Sequence, residues 1–147
     1  MITVREIMSV GVRTLSPDNS LADAMTEMST NGIHHVPIID ADGKVVGLVS
    51  HRDVLAASDS SLHVDGIIRD PADIKISEFM TAPVMTVDGR ARLREAALFL
   101  QKHQYGCLPV VTDGKLKGLI THSDYVSVAI DLLDPIEVSA PDDPCAP

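Results

Sequence analysis

Two short stretches of the chain share one pattern: GLVSHRD at residues 47–53 and GLITHSD at residues 118–124. Each stretch has a glycine, two apolar residues, a hydroxyl residue, a histidine and, three residues after the hydroxyl, an aspartate. The two copies lie 71 residues apart. A pattern that recurs at such a distance indicates an internal duplication, and the fold has to accommodate it.

The duplication extends well beyond these stretches. Met8 and Met80, like Thr14 and Thr86, lie 72 residues apart, and the second copy then lacks one residue near position 41. We therefore divide the chain into a first repeat at residues 1–57, a linker at 58–73, a second repeat at 74–133 and a loosely ordered tail at 134–147. In the linker, Ile67 and Ile68 are expected to dock on the body.

Composition limits the class of protein. Of the 147 residues 45% are hydrophobic, which is enough for a sizeable core. The net charge of −9 and the pI near 4.9 argue against binding to nucleic acid or to anionic membranes. No apolar run approaches the roughly 20 residues that span a bilayer, and Arg5 and Glu6 interrupt what would be a secretory signal. We expect a cytoplasmic protein.

Each copy predicts the element order β-α-β-β-α. Residues 12–16 and 84–88 are short extended segments, and a helix follows, with a capping signal at Ser20 and Asp23 in the first copy. Apolar residues then recur at the spacing of one helix face. These positions are Leu21, Ala24, Met25 and Met28 in the first copy, and Leu93, Ala96, Ala97 and Leu100 in the second.

A hairpin and a second helix complete each copy. Asp42-Gly43 and Asp113-Gly114 separate β-branched runs, a strong signal for a β-hairpin. The second helices are expected at residues 53–57 and 125–133. A three-stranded sheet with both helices on one face leaves its other face bare, so the two copies are expected to pack together. The predicted class is an α+β fold in which the two copies pack against each other.

The chain resembles the cystathionine-β-synthase (CBS) domain family over roughly residues 4–133. The resemblance rests on Ile33-x-x-Val36-Pro37 with the motif at 47–53, and on Tyr105-Gly106-x-Leu108-Pro109 with the motif at 118–124. In this family two copies form a disc with pseudo-twofold symmetry, called a Bateman module. Many members bind AMP, ADP, ATP or S-adenosylmethionine in clefts between the copies, and they usually regulate an enzyme or transporter.

The hydroxyl and aspartate of each motif allow two interpretations. Ser50 and Asp53, at a strand-to-helix junction, are typical of a capping box that needs no ligand. A helix N-terminus is also a ready site for phosphate, and a carboxylate there suits the neutral ribose diol. The resemblance implies the same ribose contact for the aspartate. Thr121 and Asp124 repeat the arrangement in the second copy.

Other candidate ligand contacts surround these pairs. His51, Arg52 and His122 follow the hydroxyls and are candidate phosphate contacts, although solvated first-turn residues are the simpler interpretation. Because the second copy has Ser123 where the first has Arg52, we expect phosphate-rich ligands to favour the first site. The resemblance implies contacts from Thr14 and Thr86. The pairs Ile33/Val36 and Tyr105/Leu108 would flank an adenine, with core packing as the equal alternative.

Three functions remain open. The leading one is a stand-alone regulatory module that binds an adenosine-containing ligand and signals to an unknown regulated protein. The second is a ligand-free dimerisation or adaptor module. An enzyme is the third and most distant, because we find no nucleophile–base pair, and neither the adjacent His34 and His35 nor Cys107 has metal-ligand spacing.

We expect no catalytic cofactor and no metal. Apolar residues at helical spacing, Val126, Ala129, Ile130 and Leu133, predict a homodimer.

Overall fold

The computed structural model of the protein describes residues 1–61 and 68–136. The first half contains α1 (Val4–Ile7), α2 (Leu21–Asn31), β1 (His35–Ile39), β2 (Val45–Ser50) and α3 (His51–Ser61). The second half contains α4 (Leu93–His103), β3 (Cys107–Thr112), β4 (Lys115–Thr121) and α5 (His122–Leu133). Short 3-10 turns at Pro71–Asp73 and Ile76–Glu78 lie between the halves. This mixture of helices with small antiparallel sheets is the α+β fold predicted from the sequence.

The helix α2 begins where its cap predicts. The Ser20 N–H donates to the Asp23 carboxylate at 2.9 Å, and the Asp23 N–H donates to the Ser20 hydroxyl at 3.1 Å. Leu21, Ala24 and Met28 are buried on the predicted face, whereas Met25 is 41% exposed. Two donors that the first helical turn leaves unpaired are thus satisfied by side chains.

Both predicted hairpins form. Strands β1 and β2 pair antiparallel, as do β3 and β4. The second turn has positive φ at both central residues, 53° at Asp113 and 75° at Gly114, which is the tight hairpin turn that Asp-Gly favours. The first turn is one residue longer, and Asp40 closes it by accepting from the N–H groups of Asp42 and Lys44.

The predicted leading strands are reduced to single bridges. Leu15 pairs with Ile38, and Val87 with Val110, each in parallel orientation. The chain turns away immediately afterwards. The next residue that would bond to β1 is Pro17, which has no N–H to donate, and the Ser16 N–H donates to the Asn19 side chain at 2.7 Å. At the other edge of each hairpin, single bridges join Leu48 to Thr81 and Leu119 to Ser9. Each sheet is therefore a two-stranded hairpin with one single bridge at each edge, and the predicted third strand is corrected accordingly.

The second helices also start earlier than predicted. Helix α3 begins at His51 and α5 at His122, directly after the strands β2 and β4. The motif residues 50–53 and 121–124 thus form the strand-to-helix junction itself, because the capping pair fixes the first helical turn.

The two repeats exchange their first segments. Val4, in α1, is fully buried in the core of the second repeat, and its N–H donates to the Ala91 carbonyl at 2.9 Å. Ile74 and Ile76 are buried in the core of the first repeat, next to α2. Helix α3 runs to Ser61, so the first four residues of the predicted linker at 58–73 belong to the first repeat. In space, each core is completed by the segment that precedes the other copy.

This exchange explains the glycine of each motif. Ser9 and Leu119 exchange two backbone hydrogen bonds of 2.9 and 3.0 Å, which brings the Ser9 carbonyl against the Cα of Gly118. A Cβ at Gly118 would overlap that carbonyl oxygen and lie 2.9 Å from the Met8 sulfur. In the first copy a Cβ at Gly47 would overlap the Met80 sulfur. Only glycine leaves room for the exchanged segment.

Outside these cores, Ile68 is 71% exposed, so its expected docking on the body is wrong. Ile67 and the tail from residue 137 onward, including Cys145, lie outside the described residues. In the part of the chain that is described, no helix has the length and apolar character needed to cross a bilayer.

Candidate functional site

In the first copy, Ser50 and Asp53 form a capping box. The Ser50 N–H donates to Asp53 Oδ2 at 2.8 Å, and the Asp53 N–H donates to the Ser50 hydroxyl at 3.1 Å. Both side chains are half-buried. The described residues donate no further hydrogen bond to Asp53 Oδ1, so this oxygen is available to a ligand hydroxyl.

In the second copy, the corresponding carboxylate has more partners. The N–H and the hydroxyl of Thr121 both donate to Asp124 Oδ2, at 2.8 and 3.2 Å. The Ser9 hydroxyl, from the exchanged first segment, donates to Oδ1 at 3.0 Å. Both carboxylate oxygens of Asp124 are therefore engaged, one of them by a small exposed hydroxyl that a ribose hydroxyl can replace.

A cleft of about 610 Å³ lies between the repeats beside the second motif. The exchanged first segment forms one wall through residues 9–13, and residues 32–35 before and at the start of β1 form another. Gly106, Leu119, Thr121, His122 and Ser123 from the second copy complete the lining. Its volume falls within the range of small-molecule sites, roughly 300–1,000 Å³.

The equivalent cleft beside the first motif is much smaller, about 60 Å³. Its lining mirrors the large cleft: Leu48, Thr81, Pro83, Val84, Met85, Tyr105, Cys107 and Leu108. Met85 takes the place of Arg13, and Cys107 that of His35. The duplication thus produces two clefts, of which one is large and partly polar and the other is small and mainly apolar.

The predicted site residues divide between these clefts and other environments. Ile33, Thr121 and His122 line the large cleft, and Tyr105 and Leu108 line the small one. Thr14 and Thr86 lie one residue beyond lining residues Arg13 and Met85. His51 lies in a separate groove between α2 and α3. Arg52 is exposed and is not among the residues that line the small cleft.

One predicted contact is corrected. Val36 is fully buried in the core of the first repeat, packed among Leu21, Ile38 and Val49. Its side chain therefore points into the core and not toward an adenine, because successive side chains on the strand β1 alternate between faces. Of the two interpretations left open for this residue, core packing holds.

The CBS domain model matches residues 4–60 and 76–131, which together make up more than half of the chain. The chain belongs to the CBS domain family. It carries two CBS repeats, and its pairing of them matches that of solved CBS pairs.

Solved structures cover nearly the whole chain. A Vibrio cholerae protein assigned to acetoin utilization, AcuB, is 42% identical over 93% of this chain and 98% of its own, with a TM-score of 0.83. CBSX2, solved in complex with AMP, is 28% identical over 90% of this chain and 98% of its own, with a TM-score of 0.77. The CBS pair of MJ0100, solved with 5′-methylthioadenosine and S-adenosyl-L-methionine, is 25% identical over 87% and 99%, with a TM-score of 0.76.

Curated relatives divide into short and long proteins. A CBS domain-containing protein of Dictyostelium discoideum is 29% identical over 92% of this chain and 96% of its own length. The inosine-5′-monophosphate dehydrogenase of Halalkalibacterium halodurans is 38% identical over 78% of this chain, but only 21% of the enzyme is matched. The match to that enzyme is thus confined to about a fifth of its length.

Sequence reasoning missed three residues of the CBS clefts. Arg13, Ser9 and His35 all line the large cleft. Arg13 adjoins Thr14, which the family resemblance did indicate, so the leading segment carried a usable signal. Ser9 reaches Asp124 only because the repeats exchange segments, and nothing in the local sequence marks that exchange.

His35 is half-buried at the start of β1 in the CBS pair. Burial lowers its pKa, neighbouring His34 and His122 lower it further, and Asp53 opposes them. The equivalent thiol in the second repeat, Cys107, is buried, and burial together with Asp124 raises its pKa to about 12. The thiol is therefore protonated near neutral pH and unreactive as a nucleophile. Among the described residues, no group of three His, Cys, Asp or Glu side chains is placed to hold a metal ion.

Each CBS repeat also has a groove between its two long helices. The groove of the second repeat has a volume of about 750 Å³ and is lined by α4 and α5, including Leu98, Tyr125 and Val126. The equivalent groove of the first repeat, between α2 and α3, has about 290 Å³ and includes Met25 and Leu55. The apolar lining of both grooves is therefore partly exposed to solvent.

Proposed function

We propose that this CBS pair is a cytoplasmic regulatory module, not a catalyst, that binds an adenosine-containing ligand between its repeats and signals its presence to a partner protein. The candidates are AMP, ADP, ATP and S-adenosylmethionine. The 610 Å³ cleft beside Thr121 carries the proposal, because it joins a small-molecule volume to the motif of the second repeat. The relatives solved with AMP and with S-adenosyl-L-methionine support this ligand class.

The ribose is the part of the ligand that the motif suits best. The carboxylate of Asp124 accepts hydrogen bonds only, and a ribose diol supplies two O–H donors. One of these donors replaces the Ser9 hydroxyl, whose oxygen lies 3.0 Å from Asp124 Oδ1 in the unliganded structure. The adenine then rests against the apolar side chains of Ile33, Val12 and Leu119 in the same cleft.

The first motif is the weaker candidate on volume. Among the hydrogen bonds of the described residues, Asp53 accepts through Oδ2 and leaves Oδ1 to a ligand, but the cleft beside it holds only about 60 Å³ and must widen to admit a nucleoside. Tyr105, which is 40% exposed, is the side chain whose movement would open it. We therefore propose that the cleft of the second motif fills first, the reverse of the order expected from Arg52.

A ligand titration tests the proposal. Purified protein is titrated calorimetrically with AMP, ADP, ATP and S-adenosylmethionine, and each mixture is sampled by chromatography over time. We expect saturable binding of at least one ligand, with every ligand recovered unchanged. No binding at millimolar concentration, with the fold and assembly intact, would favour the ligand-free adaptor module, and steady product formation would favour an enzyme.

Assembly is the second part of the proposal. Val126, Ile130 and Leu133 form an apolar face on α5, and they are 58%, 54% and 46% exposed. Packing this face against a second copy about a twofold axis removes its apolar surface from water. Leu55, the exposed counterpart of Val126 on α3, extends the apolar surface. We propose a homodimer built on these helices.

Light scattering with matched variants tests the dimer. Ile130→Glu places a charge in the proposed interface, so we expect a monomer mass at micromolar concentration. Ser127→Glu adds the same charge on the polar side of α5, where Ser127 donates to the Ser123 carbonyl, and is expected to leave the dimer intact. A monomeric wild type, or equal effects of both variants, would refute this interface.

A further inference from the structure

The two clefts differ most in their positive charge. Arg13, His34 and His35 of the first copy correspond, 72 residues later, to Met85, Gly106 and Cys107. The large cleft therefore holds one guanidinium and two imidazoles that its counterpart lacks, and His122 adds a third imidazole. The nearest carboxylates are Asp124, which lies behind the lining residue Ser9 and accepts its hydroxyl at 3.0 Å, and Asp53, which raises the pKa of His35. In a chain of net charge −9, such a local excess of cationic groups is an anion-binding feature.

Arg13 is available for an anionic ligand. Within residues 1–61 and 68–136 it forms no ion pair, whereas Arg69, Arg90 and Arg92 each pair with a carboxylate. Its side chain is exposed at the wall of the cleft. A guanidinium that is not already paired can form two parallel hydrogen bonds to a phosphate without first breaking a bond within the protein.

We propose that the large cleft selects an adenosine ligand that carries phosphate over one that carries a sulfonium or no charge, and that Arg13, His35 and His122 hold the phosphate. The inference rests on the proposed function and specifies its ligand class. A ribose on Asp124 leaves the 5′ substituent to face these cations. A phosphate is attracted there, while the sulfonium of S-adenosylmethionine is repelled.

Protonation of His35 gives the site a second signature. Its burial and three neighbouring groups set its charge: His34 beside it, Asp53 of α3 and His122 of α5. Without ligand, burial and the two histidines keep the pKa of His35 low and its ring neutral at pH 7. A phosphate within the cleft favours the charged ring, so binding is expected to take up protons from solution.

The test compares three probes on four proteins. AMP, adenosine and S-adenosylmethionine are titrated into wild type, Arg13→Met, Met85→Arg and Arg52→Met. The first two variants exchange the residues of the two repeats, and Arg52→Met removes the arginine of the other motif. We expect wild type to bind AMP at least about tenfold more tightly than S-adenosylmethionine. Arg13→Met should weaken AMP about 10- to 100-fold, the size of a charge-assisted hydrogen bond, and leave adenosine unchanged.

The outcomes separate this inference from the proposed function. If adenosine and S-adenosylmethionine bind as tightly as AMP, phosphate selection fails while the proposed function stands. If Arg52→Met weakens AMP and Arg13→Met does not, the phosphate lies at the other motif and the inference is overturned. If neither these three probes nor ADP and ATP bind to folded protein, both fail together.

Proton uptake checks the role of His35. Calorimetry of AMP binding at pH 7 in two buffers of different ionisation enthalpy yields the number of protons taken up. We expect uptake by wild type and a smaller value for His35→Gln, and the difference cancels any protonation of AMP itself. Equal values in the two proteins would remove His35 from the phosphate site.

Discussion

The two CBS repeats share their backbone plan and differ in the side chains around it. Both have the antiparallel hairpin, the motif glycine and the aspartate that caps the following helix. They differ in cleft volume, about 610 against 60 Å³, and in the charge of the cleft walls. Both copies must meet the same backbone requirements, and these hold the duplicated frame. The cleft walls are free to diverge and to give the two sites different functions.

The largest expected effect tests whether the motif glycines are equivalent. Gly118→Ala forces a Cβ into the Ser9 carbonyl, which is fixed by its two hydrogen bonds to Leu119. We expect a loss of about 3 kcal/mol in the free energy of unfolding, measured by chemical denaturation. Gly47→Ala meets mainly the flexible thioether of Met80, so about 1 kcal/mol is expected.

The order of these two substitutions is the informative result. If Gly47→Ala costs as much as Gly118→Ala, the Met80 side chain is held as rigidly as a backbone carbonyl. The two exchanged segments would then be equally constrained, and a Cβ at Gly47 would be no better tolerated than a Cβ at Gly118.

The next effect compares the two aspartates. A ligand at about 100 times its dissociation constant stabilises the fold by roughly 2.7 kcal/mol, a melting shift of several degrees for a domain of this size. We expect Asp124→Ala to abolish most of the shift produced by AMP, and Asp53→Ala to reduce it less, since the open cleft adjoins Asp124. The readout is the ligand-induced shift within each variant, because both carboxylates also cap helices.

The reverse order would restore the importance of the first motif. If Asp53→Ala removes more of the shift than Asp124→Ala, the small cleft opens on binding. The contribution of Arg52 to ligand affinity then exceeds the cost of opening the smaller cleft. A dimer that persists in both variants shows that the loss is one of binding and not of assembly.

The secondary structure of the two repeats could largely be predicted from the sequence, whereas the lining of the clefts could be predicted only in part. The repeat, both hairpins and the Ser20 cap followed from local patterns, because turn residues and caps act on their own neighbours. The exchange of α1 and residues 74–80 between repeats is a long-range contact with no local signature. The importance of Arg13 depends on that exchange, because the exchanged first segment carries it into the cleft beside the second motif.

A smaller effect compares the starts of α2 and α4. Ser20 caps α2 through its hydroxyl, whereas the equivalent Arg92 makes no side-chain cap to α4. We expect Ser20→Ala to cost about 1 kcal/mol in unfolding free energy. Arg92→Ser, with Glu95 three residues later, should gain a few tenths to 1 kcal/mol, because it creates a capping box and loses only an exposed ion pair of 4.0 Å. If both substitutions lower stability, the two helix starts are not interchangeable.

The smallest expected effect compares His35 with Cys107 through pH. Because burial lowers the pKa of His35 below its ordinary value of 6.5, the unfolded chain takes up a proton more readily than the folded one. Stability without ligand should therefore fall as pH decreases below about 6.5, and His35→Gln should remove part of that fall. The carboxyls of Glu6, Asp23 and Asp88 have lowered pKa values, which for Asp88 is about 2, so their contributions are lost only at lower pH. Cys107, with a pKa of about 12, stays protonated throughout and contributes nothing in this window.

Denaturation midpoints of wild type and His35→Gln between pH 7.5 and 5.5 measure the contribution of His35 to this pH dependence, since only the histidine titrates differently between the two proteins. With saturating AMP, the contribution of His35 to the pH dependence of stability should reverse its sign, because phosphate favours the charged ring. If the two proteins respond identically to pH with and without AMP, His35 has no part in the contrast between the clefts.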